Sequence, residues 1–202
     1  MTDRETVSRR RGRPRKFDET AVLDTAVDIF WRSGYAHASI ADISAATGLA
    51  PSSIYNAYGS KLDLFACALD RYLDAIIGQV LQPLEHGSAG LADVDAFFEQ
   101  LAATGGPSRP PGCLAANTIG EFRNAPSLIA ERTGRYRKRL RRAFRAALTR
   151  AAASGEIPVE AVAPRAEALP SIVIASSLLT AAGAPARDVR DLLRTAPALA
   201  SA

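Results

Sequence analysis

Apolar residues recur three and four positions apart along almost the whole chain, and runs that alternate β-branched or aromatic with polar residues are missing. A period near that of the α-helix, with no period of two, confines the chain to the all-α class. Local punctuation then divides it. Asp18 is placed to cap a first helix whose Val22, Leu23, Ala26, Ile29 and Phe30 share a face, and Gly34 stops that helix. Ser39 opens a short second helix, Ile40 to about Thr47, ended by Gly48. A third runs from about Pro51 to Tyr58, with the proline in the first turn, where its missing N–H costs nothing. A fourth begins near Ser60, carries Leu62, Phe65, Leu69, Tyr72, Ile76 and Val80 on one stripe, and ends before Pro83. Helical pattern returns from Leu91 to about Thr104, Cys113 to about Arg123, about Pro126 to Ser154, about Val159 to Ala182, and Pro185 to about Ala196. That makes about nine helices and no strand. The segment Gly105-Gly106-Pro107-Ser108-Arg109-Pro110-Pro111-Gly112 reads as a loop.

The 202 residues are 48% hydrophobic and 23% charged, which suits a globular chain that buries its own core. No run of about 18 apolar residues occurs, so no membrane span is expected. Met1-Thr2-Asp3-Arg4-Glu5 offers no apolar segment of a signal peptide. Cys67, Cys113, His37 and His86 are too few and too scattered for a disulfide framework or a metal-ligand set. A reduced cytoplasmic setting with no metal and no cofactor is therefore the expectation. No supported nucleophile–base pair and no phosphate-cradling loop after a strand is seen, so no catalytic residue is proposed.

The net charge of +4 is unevenly spread. Residues 1–16 hold Arg4, Arg9, Arg10, Arg11, Arg13, Arg15 and Lys16 against Asp3 and Glu5, whereas residues 17–130 are net acidic and 131–202 net basic. A basic tip ahead of an acidic stretch fits a polyanion-binding arm, and equally a solvated, disordered tail.

The segment Ile40–Tyr58 carries the sharpest signal. Two short helices are joined at Gly48, which takes a positive φ without steric cost. Ile40, Ile43, Leu49 and Ile54 sit where a helix-turn-helix needs an internal wedge, and small Ala45 and Ala46 permit close approach. The second helix would enter the major groove N-terminus first, offering Ser52, Ser53, Tyr55 and Asn56. Hydroxyls suit phosphates or base edges, and Asn pairs bidentately with adenine. No acid occurs from Ile43 to Ser60, and Lys61 follows within reach of a phosphate. A plain αα-hairpin also needs a glycine turn and an apolar wedge.

From Phe17 to about Tyr72 the chain resembles the DNA-binding domain of the TetR/AcrR family of one-component transcriptional regulators. The resemblance rests on Ile29-Phe30-Trp31-Arg32-Ser33-Gly34-Tyr35, then Ser39-Ile40-Ala41-Asp42-Ile43 and Ala46-Thr47-Gly48-Leu49. It closes with Ser53-Ile54-Tyr55-Asn56-Ala57-Tyr58-Gly59-Ser60-Lys61-Leu62-Asp63-Leu64-Phe65. Pro51 and Ser52 stand where the family often has a charged residue or glycine. The resemblance implies an all-α homodimer with a DNA-binding head at 17–60 and a ligand-binding and dimerisation body at 61–202. A small molecule in the body would move the connecting helix and change the spacing of the heads, most often releasing a palindromic operator. Arg11-Gly12-Arg13-Pro14 resembles an AT-hook core, suited to a narrow A·T-rich minor groove. Candidate DNA contacts are thus Arg11, Arg13, Ser39, Ser52, Ser53, Tyr55, Asn56, Tyr58 and Lys61.

The body is less informative. Gly112-Cys113-Leu114-Ala115-Ala116-Asn117 resembles a Gly-Cys-Leu segment of one subgroup and names no ligand. Asn117 and Glu121, four apart, share a helix face and are candidates to orient an effector, with Phe98, Leu101, Cys113, Phe122 and Ser176 as further lining. Core, cap and surface roles fit the same residues. Between Arg132 and Arg150, Tyr136, Leu140, Ala143, Phe144 and Ala147 oppose Arg135, Lys138, Arg141, Arg142 and Arg145, the pattern of a solvated helix face. Ile172-Val173-Ile174-Ala175 and Leu178-Leu179 are apolar nearly all round, and Val189, Leu192, Leu193 and Ala196 form a stripe on the last helix. Ile172, Leu178, Leu179, Val189, Leu192 and Leu193 are therefore expected at a dimer interface. The leading expectation is a ligand-responsive regulator of a DNA operator. A ligand-independent architectural DNA-binding protein is the alternative, and a helical enzyme the third.

Overall fold

The computed structural model describes residues 17–103 and 110–201, and these are helical with no strand. The arm with Arg11 and Arg13 lies outside the described residues. Helix α1, Glu19–His37, starts where the Asp18 carboxylate accepts from the Thr20 and Ala21 N–H groups at 2.9 and 3.3 Å. It breaks at Gly34, whose φ of 74° turns the chain, leaving one further helical turn before Ala38. Helix α2, Ile40–Thr47, opens on a capping box in which Ser39 and Asp42 each satisfy the other's backbone N–H. Gly48, at φ 69°, closes it, and α3, Pro51–Tyr58, follows. A second capping box, Ser60 with Asp63, opens α4, Lys61–Tyr72. These boundaries lie where the local signals put them. Phe30, Ile43, Ile54, Leu64 and Phe65 fill the space between the four helices.

The chain does not stop before Pro83, as the sequence suggested. α4 passes through a π-helical turn, Leu73–Ile77, into α5, Gly78–His86, which contains Pro83. The wide turn holds one extra residue, so the apolar stripe slips by one position. Phe65, Leu69 and Tyr72 are followed inward by Ile77, Leu81 and Leu84, while Ile76 and Val80 are only half-buried. Arg139 lies across this turn. It donates to the Leu73 carbonyl at 3.4 Å and grips Glu85 through two bonds of 2.8 and 3.0 Å.

The body is completed by α6, Leu91–Ala103; α7, Leu114–Glu121; α8, Ser127–Ala153; a 3₁₀ turn, Val159–Ala161; α9, Val162–Ala181; and α10, Ala186–Ser201. α8 packs on α5 and α9, and α10 on α6 and α9. Phe97, Phe98 and Phe144 pack mutually at ring separations of 5.3 to 5.7 Å in the centre. On α8 the apolar stripe is buried and the Arg/Lys face exposed, as its periodicity predicted. Arg132 ties the start of α8 to α4, donating to the Ala66 carbonyl at 3.0 Å and to Asp70. α10 extends beyond Ala196 with Pro197 inside it.

One expectation about the final helices needs correction. Val189 and Leu193 are 8% and 3% exposed and belong to the protomer's own core, on a helix packed against α6 and α9. A stripe read from sequence does not say which surface covers it, and here α6 does. By length and composition alone the stretch Val159–Ala181 could cross a bilayer, but it has no unbroken run of about 18 apolar residues. Arg165 and Glu167 interrupt it, and α9 packs against α8 and α10.

Candidate nucleic-acid interface

The α2–α3 corner is pinned from within. The Ser44 hydroxyl donates to the Leu49 carbonyl at 2.6 Å, and Thr47 donates to the Ile43 carbonyl at 2.7 Å. Ile43 and Ile54 are buried beneath it. A Cβ on Gly48 would meet nothing within 4 Å, so this position is constrained by its left-handed backbone and not by space. With Ile54 inward, α3 turns Ser52, Tyr55 and Asn56 to the exterior, while Ser53 and Tyr58 are half-buried. Tyr55 is 49% exposed, one of few large apolar side chains so placed.

Ser39 is more committed than the sequence implied. Its hydroxyl donates to Asp42 at 2.6 Å and accepts from the Asp42 N–H, while the bonds the carboxylate accepts from this hydroxyl and from the Ser39 N–H at 2.9 Å hold it below its ordinary range. Ser60 does the same for Asp63 through its hydroxyl and N–H. Lys61, at the start of α4, rests over the Tyr35 ring at 4.5 Å from its centroid, its ammonium 3.5 Å from the Ala36 carbonyl. The face so built offers hydroxyls, one carboxamide and one ammonium.

Each body candidate is engaged in its own contacts. Phe98 is buried in the aromatic cluster, and Leu101 is half-buried near the end of α6. Ser176 is buried with its hydroxyl on the Val173 carbonyl. The Cys113 N–H donates to the Ser177 hydroxyl at 2.6 Å, and Ser177 in turn donates to the Asn117 carboxamide at 3.2 Å. The Cys113 thiol lies 3.6 Å from the Tyr136 hydroxyl, which burial pushes well above its ordinary titration range. Asn117 and Glu121 share a helix face but engage different partners. Asn117 is tied to α9 and the Pro111 carbonyl, while Glu121 reaches the head. Phe122 packs on Tyr35 and Phe65. A groove of about 840 Å³ opens elsewhere, over α8 between Asp74 and Glu167, lined by Arg135, Lys138, Arg142 and Arg145 among others. None of the ligand candidates lines it.

Residues 22–68 match the family model of the bacterial regulatory proteins, tetR family. The HTH-type transcriptional regulator YezE of Bacillus subtilis (strain 168) is 36% identical over 148 residues, covering 72% of this chain and 76% of that protein. The chain belongs to the tetR family. It is a DNA-binding transcriptional regulator, and its relatives are regulators rather than enzymes. The HTH-type transcriptional repressor ComR of Escherichia coli (strain K12) is 32% identical over 154 residues, covering 75% of this chain and 73% of that protein. Among solved structures, a cysteine mutant of the TetR family regulator CifR, complexed with 26-bp double-strand operator DNA, superposes with a TM-score of 0.78. It is 26% identical, and the match covers 92% of this chain and 98% of that one. The matched segment spans α1 to α3 and the first turns of α4, the elements that build the exposed face just described.

Sequence reasoning assigned no role to Ser177, Trp31 or Tyr35. Trp31 Nε1 donates to the Gly112 carbonyl at 3.2 Å, and Ser177 joins α7 to α9. Both contacts cross more than sixty residues of chain and leave no local signature.

Proposed function

We propose that this tetR-family regulator is a homodimeric repressor that grips a palindromic operator through α3 and releases it when a small molecule binds the body. The reading is carried by α3, where Ser52, Tyr55 and Asn56 stand outward on the buried Ile54, with Lys61 opening the next helix. Tyr55 and Lys61 serve the phosphates, Asn56 and Ser53 the base edges, and Arg11 and Arg13 the flanking minor groove. That ComR is a transcriptional repressor and that CifR binds operator DNA support the same role. Residues 17–60 act as the head, with α4 shared, since Leu64 and Phe65 lie in the head's core. Residues 61–202 act as the ligand-binding and dimerisation body, and binding DNA places the work in the cytoplasm.

Fluorescence anisotropy on a duplex selected from random sequence tests the assignment. Lys61→Ala should weaken binding on all sequences and flatten the salt dependence by about one unit of slope, the mark of one lost phosphate contact. Asn56→Ala should instead lower the preference for the selected site over random duplex, by about tenfold for one bidentate base contact. A Lys61→Ala protein with unchanged affinity and slope would remove Lys61 from the interface.

A further inference from the structure

We propose that Glu121, the last residue of α7, positions the DNA-binding face by capping in trans the turn on which Lys61 rests. The proposal builds on the reading of Lys61 as a phosphate contact. Gly34 ends the regular part of α1, so the single turn beyond it begins with N–H groups that lack partners in the preceding helix. Glu121 supplies the partner from the body. Its carboxylate accepts from the Tyr35 N–H at 3.0 Å and from the Ala36 N–H at 2.7 Å, one oxygen to each. This is an N-cap made by a residue 86 positions away. Gly34 leaves room for it, since a Cβ there would stand 3.2 and 3.3 Å from the two carboxylate oxygens.

The far side of the same turn holds Lys61. The Ala36 carbonyl accepts from its ammonium, and the Tyr35 ring lies beneath it. Glu121 thus fixes the donor side of a short peptide segment and Lys61 sits on the acceptor side. Tyr35 is wedged against Phe65 and Phe122, so the turn has little room to shift independently.

Glu121 stands at the wrong end of its own helix. A carboxylate at a helix C-terminus is disfavoured by the exposed carbonyls there, so α7 itself gains nothing from it. The other end of α7 is held by α9 through Ser177 and by the head through Trp31. α7 is therefore a strut between α9 and α1, and a displacement of the strut pulls the cap from the turn.

The sign of one substitution separates this role from bulk electrostatics. Removing an acid from a DNA-binding protein tightens binding if charge alone acts. Loss of the cap does the opposite. On the full-length chain, Glu121→Ala should weaken binding to the selected duplex about tenfold, the scale of a lost cap. Glu121→Gln, which keeps one acceptor oxygen, should weaken it less and serves if the alanine variant does not fold. Trp31, the single tryptophan, reports folding by its emission. The cycle with Lys61→Met completes the test. Glu121→Ala should cost at most about twofold on that background, because the seat it maintains is then empty. Binding that is unchanged or tighter in Glu121→Ala, with Lys61→Met weakened, overturns the proposal alone. An equal loss on both backgrounds also overturns it. A Lys61→Met protein that binds like wild type removes the underlying reading as well.

Discussion

Glu85 keeps 18% of its side chain exposed and meets Arg139 through two hydrogen bonds, which hold its carboxylate below the ordinary value of 4.5. The bonds outweigh the opposing effect of burial. In the unfolded chain that help is gone, so the folded state binds fewer protons as the pH approaches the carboxylate range. The stability contributed is full above pH 4.5 and is lost as the pH falls through the lower folded value. Arg139→Met should therefore lower Tm clearly at neutral pH, and the gap to wild type should narrow as the buffer is acidified. A gap that is constant with pH would mean that Arg139 acts only through the Leu73 carbonyl, which does not titrate. At this scale the sequence was legible wherever partners lie within a few residues. The Asp18 and Ser39 caps, the helix start at Ser60 and the Gly48 stop all announced themselves, because a cap and its target are neighbours. Glu121 and Ser177 did not, because their partners arrive only after the chain has folded back.

A helix reads correctly from its periodicity only while its period stays constant. The bounds of α2 and α3 lie where cap and glycine put them, yet the stripe through Ile76 and Val80 was misassigned by the π turn at Leu73–Ile77. Nothing local marks that turn, and its partner Arg139 comes from α8. The two registers make opposite forecasts. Ile77→Ala should cost about 2–5 kcal/mol in urea unfolding, the range for emptying a buried aliphatic site, and Ile76→Ala distinctly less. Leu81→Ala and Val80→Ala should divide the same way. The reverse order would restore a continuous α-helical register and remove the turn.

In the proposed dimer the two final helices form the contact, and their residues fall into two groups. Val189 and Leu193 are spent inside the protomer, whereas Leu179 is 43% exposed and Ile172, Leu178 and Leu192 are half-buried. Ser171 and Ala175 lie exposed on α9 with Leu179, and Ala182 just past its end, a surface of small side chains that lets another helix approach closely. An apolar surface of this kind is stable in water when a second copy covers it, and a two-fold axis through it would present two heads to one palindrome. Sequence alone found the stripes but not the partner of each, because α6 and a second protomer offer equally apolar cover. Substitution distinguishes them. Leu193→Glu buries a charge in the protomer's own core and should unfold it or lower Tm steeply. Leu179→Glu places a charge only at the proposed contact, so it should leave helicity and monomer stability intact while the scattering mass falls to 21.4 kDa. Operator affinity should fall with it, since each head alone then binds a single half-site. A Leu179→Glu protein that remains dimeric in light scattering at micromolar concentration would move the interface off this face of α9. A wild-type chain that is monomeric there would end the paired-head reading of the palindrome.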